Sequence, residues 1–79
     1  MSEQRAVLSM WTVYDHPSDY PNNYVARRFD IEARRVVPTS SVIITPDLGT
    51  LRDMLAFELH LTCLARDEND DPKIIETWI

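Results

Sequence analysis

The 79-residue sequence contains one glycine, one cysteine and no long apolar run. The lone Gly49 excludes a glycine-rich phosphate loop, which needs several residues able to bring backbone N–H groups close to an anion. A single Cys63 excludes an internal disulfide, a pattern that fits a reducing compartment. No apolar stretch approaches the ~20 residues of a membrane-spanning helix, and the opening MSEQRAVLSMW lacks a signal-peptide core, so the expected location is the cytoplasm. Positive charge is also short. Residues 1–45 carry five Arg against five carboxylates, whereas residues 46–79 carry three cations against eight, which accounts for the whole formal charge of −5. Phosphate contacts need local net cation, so nucleic acid is not an expected partner.

What is present organises around residues 42–59, VIITPDLGTLRDMLAFEL. Val42, Ile43 and Ile44 read as a short buried strand. Thr45 then suits an N-cap, Pro46 the first helical position, and Asp47 the positive end of the helix dipole. Leu48, Leu51, Leu55 and Leu59 recur at three- and four-residue spacing, which predicts a helix with one apolar stripe. That stripe needs a sheet to cover it. Residues 8–14 alternate and are rich in β-branched and aromatic side chains, as a first strand should be. Residues 24–31 form a second predicted strand, with Val25, Arg27, Phe29 and Ile31 on one face. This set holds the apolar majority and is expected to point at the helix. Residues 32–41 are expected to extend the strand briefly and then form a loop closed by Pro38, while residues 73–79 make a last strand. The expectation is a single α+β domain over residues 1–79, with three or four mostly antiparallel strands in the order β-β-β-α-β and one main helix on one face. Direct pairing of residues 42–44 with residues 73–79 would make the helix a right-handed parallel crossover.

Residues 11–28, WTVYDHPSDYPNNYVARR, are the most distinctive part of the chain. His16 and Tyr20 each precede a proline and should be extended. Tyr14, Tyr20 and Tyr24 beside Pro17 and Pro21 make either a rigid aromatic surface or an ordered loop that caps the sheet. The W-x-V-Y-D-x-P-x-D-Y-P segment resembles a family of small bacterial proteins of unknown function. The likeness covers about a quarter of the chain, with a looser one at the terminal KIIETWI, and it implies no activity.

Arg27, Arg28, Arg34 and Arg35 place half of all Lys and Arg within nine residues, a possible contact for an anionic ligand. Asp30 and Glu32 dilute the patch, and neighbours on a strand point to opposite faces, so internal ion pairs are the plainer reading. His60 and Cys63 would converge two zinc ligands only if the helix continued through them, and His16 is the only other His or Cys. Asp67, Asn69 and Asp71 match the first calcium-loop positions, but Pro72 and Trp78 stand where Gly and Glu are needed. His16 with Asp15 and Asp19 is the nearest thing to an acid–base cluster, in a turn with no apolar pocket to shift a pKa. No catalytic, cofactor-binding or metal-ligand set emerges, so the chain is not expected to be an enzyme.

The helix carries a second apolar stripe, Met54, Phe57 and Leu61, that one sheet cannot cover. Trp11 and Trp78 fall on the first and last strands, which would be edges with backbone groups open to a second chain. Together with Tyr20 these residues form an expected interface. The expected function is therefore a non-catalytic protein-interaction or accessory domain, homodimeric and without cofactor. The alternative is an anion- or nucleic-acid-binding module built on the four arginines.

Overall fold

A computed structural model describes residues 8–64 and 72–79. Five strands form one antiparallel sheet: β1 (Leu8–Asp15), β2 (Tyr24–Glu32), β3 (Arg35–Thr45), β4 (Cys63–Leu64) and β5 (Ile74–Trp78). Their spatial order is β3-β2-β1-β5-β4. The helix α1 (Leu48–Asp53) continues directly into a π-helical turn over Met54–Glu58. The α+β class and the positions of the first two strands agree with the sequence reading. The sheet has five strands rather than three or four, and no parallel crossover forms, because β5 pairs with β1 instead of β3.

The third strand is longer than the three residues expected. β2 turns into β3 through Ala33 and Arg34 alone, both at positive φ (46° and 66°), which is the signature of a type I′ hairpin. Neither residue advertises such a turn, which is why residues 32–41 read as loop. Pro38 also looked like punctuation. It lies on the outermost strand, where a missing N–H is tolerated. Just beyond it the register with β2 shifts, and Thr39 Oγ1 donates to the Arg28 carbonyl (2.9 Å) while accepting from the Ser41 N–H (3.1 Å). A side chain thus replaces part of the backbone ladder at the bulge.

The face of β2 that meets the helix is the opposite of the expected one. Ala26 joins Trp11, Val13, Leu51, Leu55 and Trp78 in the core, with Tyr24, Ile43, Leu48, Ala56, Leu61 and Ile75 packed around them. Register places Val13 between Ala26 and Glu76, and Trp11 between Arg28 and Trp78. By alternation Val25, Arg27, Phe29 and Ile31 lie on the other side. Small Ala26, rather than the apolar majority, permits close helix approach. Trp11 and Trp78 are correspondingly buried on interior strands, not edges.

The helix begins two residues later than expected. Asp47 is the extended N-cap (φ −118°, ψ 117°), and its Oδ2 accepts from the Thr50 N–H (2.8 Å) and hydroxyl (2.6 Å). Thr45 Oγ1 accepts from the Asp47 N–H at 3.3 Å, supporting the entry turn. At the other end, the Leu59 N–H reaches back five residues to the Met54 carbonyl (3.1 Å). A π turn takes more residues per revolution, so Leu59 does not come round to the Leu stripe and stays 41% exposed. His60 then adopts a left-handed φ of 55°, and Leu61 closes the end by donating to the Leu55 carbonyl (3.0 Å). Leu61, not Leu59, therefore returns to the core.

The turn geometry makes a stability prediction. Non-glycine residues at left-handed φ cost about 1–2 kcal/mol each, so Ala33→Asn with Arg34→Gly should stabilise the fold by about 1–2 kcal/mol in denaturant melts. A neutral or destabilising result would show that the hairpin is not type I′. The cap makes another. The Thr50 hydroxyl and N–H hold the Asp47 carboxyl below its ordinary pKa of 3.8. A depressed native pKa contributes stability above that value and loses it as pH falls through the native one. Asp47→Ala should therefore lower the melting temperature at pH 7, and the gap from wild type should close as pH drops below about 3.8.

Candidate functional site

Three groupings of polar side chains stand out among the described residues. The first spans helix and sheet. Glu76 points from β5 toward the helix and is 6% exposed. Arg52 from α1 meets its carboxylate through Nε, 3.2 Å from both oxygens, and Nη2, 2.8 Å from Oε1. Trp78 Nε1 donates to Oε2 at 2.7 Å. The buried acceptor is thus satisfied from two directions, as a charge inside a protein must be. Hydrogen bonding to Glu76 raises the Arg52 pKa further above its already high value. Cys63 pairs with Trp78 at the sheet margin, and its thiol is pushed up first by burial and then by the Glu76 carboxylate. A thiol held protonated is a poor nucleophile and a poor metal ligand.

The second grouping lies where β1 ends. Asp15, His16, Pro72 and Lys73 line a shallow, open pocket of about 330 Å³. His16 has a left-handed φ of 50°, not the extended form expected before proline, and its Nδ1 contacts Asp15 Oδ1. Its ring meets Tyr24 edge-on at 4.8 Å. Lys73 Nζ donates to the His16 carbonyl (3.0 Å), and the Lys73 carbonyl accepts from the Asp15 N–H (2.7 Å). An Asp–His pair orients an imidazole for proton transfer, but no hydroxyl or thiol lines this pocket to act as nucleophile. The Lys73 and Tyr24 contacts tie the loop to the sheet.

The four arginines form no common patch. Arg27 lies on the face away from the helix and pairs with Asp19 of the β1–β2 loop. Arg28 lies on the helix side, its buried Nε 3.3 Å from Asp30 Oδ1 without the alignment of a hydrogen bond; Ser9 Oγ donates to that same oxygen at 3.0 Å. Arg34 and Arg35 sit exposed at the hairpin tip, where Arg35 pairs with Glu32, five residues and about 17 Å of strand from Arg27. In the loop, the Tyr20 N–H donates to the Pro17 carbonyl (2.9 Å), and Asn23 donates to the Tyr20 carbonyl (3.2 Å). Two successive tight turns therefore fold this segment back on the sheet. His60 and Cys63 do not share a helical face, because the helix ends at Leu59 and Cys63 belongs to β4. No group of three or more His, Cys, Asp or Glu suited to a metal ion occurs among the described residues. The calcium-loop positions at residues 67–71 lie outside them.

Of the interface residues expected from sequence, the structure keeps Phe57 at the surface, 72% exposed, with Met54 half-buried beside it. Leu61, Trp11 and Trp78 are core residues, and Tyr20 is half-buried in the loop. Sequence reasoning missed the helix-free face of the sheet. Leu8, Met10, Tyr14, Val25, Phe29, Ile31, Val42 and Ile44 share that face by register. The signal was in the sequence: β1 carries large apolar side chains on both alternating sets, Leu8 and Met10 on one and Trp11 and Val13 on the other, whereas one helix covers one face. Among the described residues no helix is long and apolar enough to cross a membrane. In comparisons with known proteins, the chain matches no family model, no curated protein and no solved structure.

The helix-to-sheet clamp is testable by a double-mutant cycle of Arg52→Ala and Glu76→Ala. Exposed ion pairs couple by about 0–1 kcal/mol, and the Arg52 side chain is half-exposed, which limits the gain. Burial of the Glu76 partner should still lift the coupling above about 1 kcal/mol. A value near zero would reduce the contact to an ordinary surface pair.

Proposed function

We propose that the chain is a small non-catalytic protein-interaction module whose contact surface is the helix-free face of the sheet. The observation that supports this is the chemistry of that face. Leu8, Val42 and Ile44 stand 39–49% exposed on it, and Met10, Phe29 and Ile31 lie half-buried between them. A contiguous apolar surface of this kind is uncommon on a protein that works alone. Arg27 is the only charged side chain among the register positions of this face on β1 and β2, and Asp19 neutralises it. Val25, one step nearer the loop than Arg27, is fully buried, so the Tyr–Pro loop acts as a cap at one end of the surface.

Catalysis has less support, since the Asp15–His16 pocket is open, no hydroxyl or thiol lines it, and the Lys73 amine is engaged by the His16 carbonyl. Anion binding has less support as well, with Arg27 and Arg28 each engaged by a carboxylate on opposite faces.

The test is binding of an apolar fluorescent dye, anilinonaphthalene sulfonate, to folded protein diluted to nanomolar concentration. Wild type should enhance its fluorescence, and Phe29→Lys or Ile44→Lys should each remove half or more of that signal. Phe57→Ser should leave most of it. Near-UV circular dichroism of Trp11 and Trp78, buried on the other face, reports that each variant is folded. Loss of the signal in Phe57→Ser alone would move the contact surface to the helix.

A further inference from the structure

We infer that the occupant of the helix-free face is a second copy of this chain, packed face to face so that two sheets make the core of a sandwich. The inference rests on the reading of that face as a contact surface and adds the partner and its geometry.

Charge gives the first reason. The chain carries a formal charge of −5, yet the register positions of this face on β1 and β2 hold a single charged side chain, Arg27, already paired with Asp19. Two copies meeting here bring no unpaired like charges into contact. A partner recognised by charge would call for an asymmetric patch, and this face offers none.

Size gives the second. Strands β1, β2, β3 and β5, five to eleven residues long at about 4.8 Å spacing and about 3.3 Å per residue, present a footprint of roughly 500 Å². Two such faces bury about 1,000 Å², the lower bound for a specific interface. Sheets stacked this way sit about 10 Å apart with strands offset by about 30°. An isologous contact on a two-fold axis satisfies both faces at once.

The sheet edges give the third reason, because they disfavour the other way two sheets join. β3, the outermost strand, carries Pro38 and a bulge in its pairing with β2, and β4 is only two residues long. Both devices blunt an edge against pairing with another chain. Association through a continuous intermolecular sheet is thus discouraged, while face-to-face stacking is left open.

Sedimentation equilibrium over a micromolar to millimolar series tests the inference. Wild type should give twice the monomer mass. Phe29→Lys and Ile44→Lys should each weaken association at least tenfold while keeping the tryptophan near-UV signal, and Phe57→Ser should remain dimeric. Phe29 lies on an interior strand, so a dimer that survives Phe29→Lys but dissociates with Ile44→Lys would be edge-paired and would overturn the sandwich. A dimer that survives both variants and dissociates with Phe57→Ser would overturn both the sandwich and the choice of face. A wild-type monomer at millimolar concentration overturns self-association. If that monomer binds the apolar dye, the face stands as a surface for a different partner; if it does not, both proposals fall.

Discussion

The contact on which the rest of the structure depends is the buried Glu76 carboxylate, held between the Arg52 guanidinium and the Trp78 indole. Apolar packing alone would let a short helix slide or rotate on a sheet, because dispersion is nearly indifferent to small shifts. A bidentate arginine contact is not. It ties α1, which packs against β2 and β3, to β5 in position and azimuth, and the same carboxylate sets the orientation of a core tryptophan. Leu51 and Leu55 then fill the space above Val13 and Ala26 with nothing left exposed. The arrangement spends a buried charge on specificity, in a domain whose helix has too few turns to define its own seat.

How much of this was legible in the sequence depends on which physical rule governed each segment. Alternation and β-branching located β1 and β2 closely, and three- and four-residue spacing placed Leu48, Leu51 and Leu55 together. The side of β2 that meets the helix was not legible by counting apolar residues. Volume decided it: Ala26 permits approach, and Phe29 would hold the helix away. The full length of β3 was hidden by Pro38 and by a hairpin turn made from Ala33 and Arg34, which carry none of the usual turn chemistry. The π turn was hidden for a related reason, since a helical wheel assumes constant pitch. Leu59 and Leu61 exchanged roles because that assumption failed over five residues.

The apolar surface was legible in part at the helix and not at the sheet. The lack of a glycine-rich loop, a cysteine pair and a cation excess left surface apolarity as the feature to follow, and in the sequence the helix stripe was where it showed. Phe57 is exposed as expected, although its supposed neighbours Leu61, Trp11 and Trp78 help form the core. The larger apolar area lies behind the sheet, on the face that the one helix of the described residues does not cover. An amphipathic helix shows its spare stripe in one dimension of sequence. A sheet face is assembled from distant strands, so its extent becomes visible only with the register.

The register of β1 has a consequence for how the chain reaches this state. β1, β2 and β3 are joined by short connections and can zip together from neighbouring contacts. The remaining margin of β1 must wait for β5, so Trp11 meets Trp78 only after nearly the whole chain has been searched. Loop closure over such a separation is slow compared with hairpin formation. During synthesis on a ribosome, the three-stranded half would therefore emerge with Trp11 and Val13 uncovered and one strand margin unpaired. That interval, rather than the finished fold, is when this protein is most exposed to misassociation, and it is when a chaperone would have something to hold.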